Sequence, residues 1–173
     1  MAYNATVQRP ELAATALWQA TCPNGWRVEP VNLGAVAAHL GVDILTWRPD
    51  EDGLNGALIR SAKTVFVNAA LARPRMRFAA AHELGHYVLG HEGDFFCPFD
   101  RYATLEREAN LFAAALLMPT AVVKMLWLKL SNLTPAAKLS ALAERLEVSR
   151  QALGYRLRAV GIAGYVPAAP QRV

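Results

Sequence analysis

The chain has 173 residues, 54% of them hydrophobic and 18% charged, which is enough apolar material for one packed domain and excludes wholesale disorder. Eighteen basic against 14 acidic residues leave a net charge of +4, which excludes an acidic solvating protein and is too mild to mark a nucleic-acid binder. The excess lies at one end: residues 1–130 carry 12 of each sign, whereas residues 131–173 carry six basic and two acidic residues.

Two cysteines, Cys22 and Cys97, do not make a disulfide framework. The first residues lack the basic start and apolar stretch of a signal peptide. The longest apolar run, 111–123, is interrupted by Pro119 and Thr120 and is too short to span a bilayer. The expectation is a soluble, cytoplasmic protein with no membrane partner.

Taken in chain order, 11–20 reads as a helix with Pro10 at its start. Residues 33–40 read as a short helix closed by Gly41. Three β-type runs follow at 42–47, 56–60 and 64–68, separated by turn-rich segments. Runs so close together suggest a short antiparallel three-stranded meander, which needs a helix against one face. Helical pattern resumes from Pro74 to about Gly90, and 91–103 reads as a loop. A second long helix is expected from Thr104, a potential N-cap, to Met118, with Pro119 interrupting it and opening another over 120–130. Residues 131–134 form a linker candidate. Thr134-Pro135 then caps a helix to Leu146, and Ser149 caps one ending near Gly161. The expected division is a catalytic-type domain over 1–130, a helical module over 131–165 and a tail over 166–173.

The decisive segment is His82-Glu83-Leu84-Gly85-His86. Residues four apart on a helix lie one above the other, so both imidazoles can grip one metal ion, with Glu83 beside them to take a proton from water. A catalytic site of this kind needs a third protein ligand. His91 falls nine residues after His82 and misses the spacing of the extended three-histidine motif. Cys97 is reachable only through a loop. Glu106 and Glu108 are separated by about 200° around a helix, so both cannot face the metal. Glu106 shares its face with Asn110, whose side-chain oxygen can accept from a ligand histidine's other ring N–H. Glu106 is therefore the expected ligand, Asn110 its supporting neighbour, and Glu108 a surface or helix-terminus charge.

Residues 77–86 together with 106–119, which reads Glu-Arg-Glu-Ala-Asn-Leu-Phe-Ala-Ala-Ala-Leu-Leu-Met-Pro, resemble the ImmA/IrrE family of metallopeptidases, and the resemblance covers roughly 30–160. It implies a gluzincin-like site that uses zinc, or manganese, and cleaves helix-turn-helix repressor proteins, releasing stress, prophage or mobile-element genes. It places the family's histidine ligands on His82 and His86, its catalytic glutamate on Glu83 and its glutamate ligand on Glu106. Asn68 resembles a recurrent family position, and the resemblance implies that the last strand pairs with substrate. His91, Tyr102 and Arg101 are candidates for contacting the oxyanion or substrate.

The C-terminal helices resemble a helix-turn-helix. Glu147 stands where a turn glycine is usual, and Arg156 where an apolar residue is usual, so DNA binding is not favoured. If DNA is bound, Arg150, Arg156 and Arg158 are its candidate contacts. The expected architecture is α+β, a short sheet on the helix of His82 and His86 followed by an all-helical part. The expected activity is site-specific cleavage of a repressor. The alternatives are a non-catalytic metal-binding regulatory module that binds repressor or DNA, and a general small peptidase.

Overall fold

The computed structural model describes residues 5–22, 30–48, 54–91 and 99–162, with side chains from Arg9 onward and, in the last segment, from Ala103 onward. Helix α1 (Ala5–Thr21) begins before the expected start, so Pro10 lies inside it. A proline there gives up its own helical hydrogen bond and crowds the carbonyl one turn back, while the buried side chains of Ala14 and Leu17 hold α1 in the fold. Helix α2 (Leu33–Leu40) is held at both ends. The Asn32 side chain accepts the Ala35 N–H at 3.1 Å, and Gly41 takes the left-handed conformation at φ 63°.

The sheet comprises β1 (Asp43–Trp47), β2 (Gly56–Ile59) and β3 (Thr64–Asn68), in the order β1-β3-β2. It is mixed, which corrects the expected antiparallel meander. β2 and β3 form an antiparallel hairpin through the turn at 60–63, while β1 runs parallel to β3. The stretch from 48 to 55 is long enough to pass the end of β3 and start β2 on its far side. Both ends of the parallel ladder are tied: Asp43 N–H donates to Lys63 O at 2.9 Å, and Ala69 N–H to Trp47 O at 2.8 Å. The Asn68 side chain donates to Leu54 O at 2.9 Å, fixing the incoming chain against the end of β3. The last strand is thus central with both edges used, so it cannot pair with a substrate, and that part of the resemblance is corrected as well.

One face of β3, carrying Val65 and Val67, is buried against helix α3 (Arg73–Leu89). Pro74 sits in the first turn of α3, where no N–H is missed, and Gly90 closes the helix at φ 70°. Small residues Ala79, Ala80 and Ala81 let α3 lie close to its neighbours. Helix α4 (Phe99–Leu117) starts earlier than expected, so Thr104 is interior rather than an N-cap. α4 crosses α3 at Gly85, where a methyl group would lie 3.0 Å from Phe112 Cδ1 and 3.2 Å from Ala109 O. That close approach requires glycine and sets the two metal-site helices side by side.

Helices α5 (Thr120–Lys129), α6 (Pro135–Leu146) and α7 (Arg150–Ala159) complete the chain. Thr134 Oγ1 and Ser149 Oγ cap α6 and α7 by accepting the N–H groups of Ala137 and Ala152. Glu147 occupies the left-handed turn between them at φ 52°. Its carboxylate meets Arg73 Nε at 2.9 Å and Arg77 Nε at 3.5 Å, joining the turn to the start of α3. Arg156 points inward and is 4% exposed. Its guanidinium donates to Met118 O and Thr120 Oγ1 at 3.0 Å each and pairs with the Glu11 carboxylate. It is therefore spent inside the fold, at the break between α4 and α5, and cannot reach a phosphate. Leu139, Leu142, Leu153 and Leu157 belong to the same hydrophobic cluster as Ala14, Leu84 and Phe112. Among the described residues no single helix is long and apolar enough to cross a membrane.

Candidate metal centre

Two turns of α3 and one of α4 supply the site. His82 and His86, four residues apart, bring their Nε2 atoms within 3.0 Å of each other. Glu106 reaches across from α4, with Oε2 3.1 Å from His82 Nε2 and Oε1 3.2 Å from His86 Nε2. These three side chains form the described cluster whose ligand atoms all lie within 4.8 Å of one another.

The outer ring nitrogens are also engaged. His82 Nδ1 lies 3.1 Å from Asn110 Oδ1. His86 Nδ1 lies 3.0 Å from His91 Nδ1, and His91 Nε2 lies 3.0 Å from Glu108 Oε2. Donation from both Nδ1 positions to these partners leaves the two Nε2 atoms as bare acceptors. Two lone pairs and a carboxylate then converge with no donor between them, an arrangement that repels itself unless a cation occupies it. Tetrahedral coordination at ~2.1 Å separates ligand atoms by about 3.4 Å, a few tenths of an ångström wider than the spacing found here, so the residues fit a metal ion.

Electrostatics agree with that fit. Burial, then the neighbouring His82, His91 and Arg60, push the His86 imidazole down to about 4, so it is neutral at neutral pH. Burial, then the Glu106 carboxylate, push the Glu83 carboxyl up to about 7. Glu83 lies against β2 at Gly56: a methyl group there would come within 3.0 Å of Glu83 Cγ and 3.1 Å of Oε1. The absent side chain leaves room for the carboxyl.

Of the other expected residues, His91 has a side chain only 6% exposed with both ring nitrogens occupied, leaving neither for a substrate. Glu108 is 18% exposed and bound to His91, which corrects its reading as a surface charge. Arg101 and Tyr102 lie in the first turn of α4 with side chains outside the described residues, as is Cys97. Arg150 and Arg158 stand exposed on α7. The motif reading missed Arg60, whose guanidinium donates to the carbonyls of His86 (2.8 Å), His91 (3.1 Å) and Tyr87 (3.3 Å). An arginine just after a strand carries no motif, so only the hairpin's placement reveals it.

Two histidines one turn apart, a glutamate from the next helix and an unliganded glutamate between them define a metallopeptidase type of centre on an α+β fold. The chain belongs to the peptidase M78 family, whose model, the IrrE N-terminal-like domain, matches residues 37–158. It is 33% identical over 129 residues to the radiation response metalloprotease IrrE of Deinococcus radiodurans, covering 68% of this chain and 37% of that protein. A solved Mycobacterium tuberculosis transcriptional regulator shares the fold with a TM-score of 0.55 at 18% identity, over 87% of this chain and 48% of that one. The chain thus spans well under two thirds of either relative.

Proposed function

We propose that this chain is a zinc-dependent endopeptidase, with manganese as the other candidate ion, that cuts a helix-turn-helix transcriptional repressor at one site in the cytoplasm and so relieves repression. The observation that carries this reading is the convergence of His82, His86 and Glu106, with the Glu83 carboxyl beside them and against β2, which is an edge strand among the described residues. A bound zinc ion supplies Lewis acidity at such a centre, polarising the scissile carbonyl and acidifying water. Glu83 then takes the proton from water and returns it to the leaving amine, a task suited to a group that ionises near neutrality.

The edge beside Glu83 is β2. Asn68 N–H donates to Asn55 O at 3.0 Å, so the hydrogen-bonded pairs with β3 continue at 57 and 59. Gly56 and Leu58 therefore turn their N–H and C=O groups outward, and among the described residues no strand takes them. An extended substrate segment adding to this edge would lie alongside Glu83. The division into a catalytic part over 1–130 and a helical module over 131–165 belongs to the same proposal, with the module docking the repressor. Exposed Arg150 and Arg158 support a second reading, a non-catalytic metal-binding regulator that acts on repressor or DNA by association.

Intact mass spectrometry of a candidate repressor encoded beside this gene, incubated with the zinc-loaded protein, tests both. One new cut that is absent with Glu83→Gln supports the peptidase. A repressor that co-purifies uncut supports the regulator. Glu106→Ala should abolish zinc binding, and retention of zinc by that variant removes Glu106 from the ligand set.

A further inference from the structure

Asn110 supports His82 with a neutral amide, but His86 is supported differently. Its outer nitrogen meets a second histidine, and that histidine meets a carboxylate. One placement of the protons makes each of these contacts a hydrogen bond and leaves the inner nitrogen of His86 free for a metal. Ionised Glu108 only accepts, so His91 carries its proton on Nε2 and donates it. With His91 donating from Nε2 to the carboxylate, its Nδ1 is placed to accept from the Nδ1–H of His86 at 3.0 Å. The Nε2 of His86 is left with a lone pair directed at His82 Nε2 and Glu106 Oε1.

His91 is built into position for this. Gly90 at φ 70° turns the chain back after α3, and His91 N–H donates to His86 O at 3.1 Å. Arg60 holds the His91 carbonyl at 3.1 Å. The two rings lie 5.0 Å apart at 74°, edge to face. Glu108 comes from the face of α4 turned away from Glu106, so the helix that supplies a ligand also supports the histidine opposite.

We propose that His91 and Glu108 are positioning residues that set the tautomer and orientation of His86 and thereby the affinity of the centre for its metal. The proposal rests on the metal-centre reading above and extends it beyond the ligands. Partners of this kind typically change metal affinity by about 10–100-fold.

The test uses the full chain with His91→Phe and Glu108→Leu, which fill space without accepting a hydrogen bond, and Glu108→Gln, which retains an acceptor oxygen. The His86 tautomer is read in metal-free, ¹⁵N-histidine-labelled protein at pH 8, and zinc affinity by competition with a chromophoric chelator. The expected result is an Nδ1–H tautomer in the wild type and in Glu108→Gln. A mixed or reversed tautomer is expected in His91→Phe and Glu108→Leu, with zinc held about 10–100-fold more weakly. An unchanged tautomer or unchanged zinc affinity in His91→Phe overturns the proposal. So does loss of zinc in Glu108→Gln with the tautomer intact, which would make Glu108 a ligand. Neither readout depends on cleavage: a protein that shows the expected shifts but cuts no repressor refutes the proposed function and leaves the positioning pair standing.

Discussion

Replacing Glu83 by glutamine in the metal-free protein isolates the energetic cost of seating a carboxyl beside Gly56. Glu83 ionises at about 7 in the folded chain against 4.5 for an ordinary glutamate. The folded state thus binds this proton more tightly than the unfolded state. Its contribution to stability is fully present below pH 4.5 and is lost as pH rises through about 7. By linkage the full window corresponds to about 3 kcal/mol, and about 2 kcal/mol after allowing for screening of a carboxyl that keeps some solvent contact. His86 acts in the opposite sense, because its value falls from 6.5 to about 4 and its neutral form is favoured on folding, so its contribution grows as pH rises through that range. The wild-type profile superimposes the two, whereas the difference between Glu83→Gln and wild type cancels His86. Urea unfolding in the presence of a chelator should find the variant nearly equal to wild type at pH 4.5 and more stable by about 2–3 kcal/mol at pH 8. At about 2–4 °C per kcal/mol for a chain of this size, thermal midpoints should separate by roughly 5–10 °C at the higher pH. A difference that stays constant from pH 4.5 to 8 would show that Glu83 is not a desolvated acid, and its assignment as a base tuned to neutrality would fail.

Gly56→Ala should lower the rate of repressor cleavage by about 10–100-fold while zinc affinity stays at the wild-type level, because the new methyl displaces the Glu83 carboxyl and touches no ligand. Equal turnover in the variant would mean that Glu83 does its work from elsewhere. Arg156→Ala leaves Glu11 without its partner inside the fold and should destabilise the protein by about 3 kcal/mol in urea unfolding. A loss below about 0.5 kcal/mol is what an exposed arginine would give, and would contradict its buried position.

Local signals in the sequence located nearly every element, because caps and glycines act over a few residues. Asn32, Gly41, Gly90, Thr134 and Ser149 each sit where their chemistry ends or begins a helix. The strand pairing was not legible. Three short runs in a row are compatible with a meander or with a central third strand, and nothing local to the runs chooses between the two orders. The cluster of His82, His86 and Glu106 could be reached from helix periodicity alone, since each ligand lies on a predictable face. His91 and Glu108 could not, because the support they give exists only once Gly90 reverses the chain and α4 lies alongside. Arg156 was legible in part: it stands where an apolar residue is usual, but the partners that hold its charge inside, Met118 O, Thr120 and Glu11, come from distant parts of the chain.

Arg60 ends the β2 edge and grips three carbonyls at the end of the helix that carries both histidines. Its guanidinium also lies over the Tyr87 ring at 5.3 Å, so the grip is both polar and stacked. The strand edge and the ligand-bearing helix are thereby tied together as one gauge, with the distance from edge to Glu83 set by the protein itself. An edge fixed in this way counts residues along whatever lies on it. Under the proposed peptidase reading, such a device would select a bond by its place along the strand and would give a single cut where a loosely hinged edge would leave ragged ends.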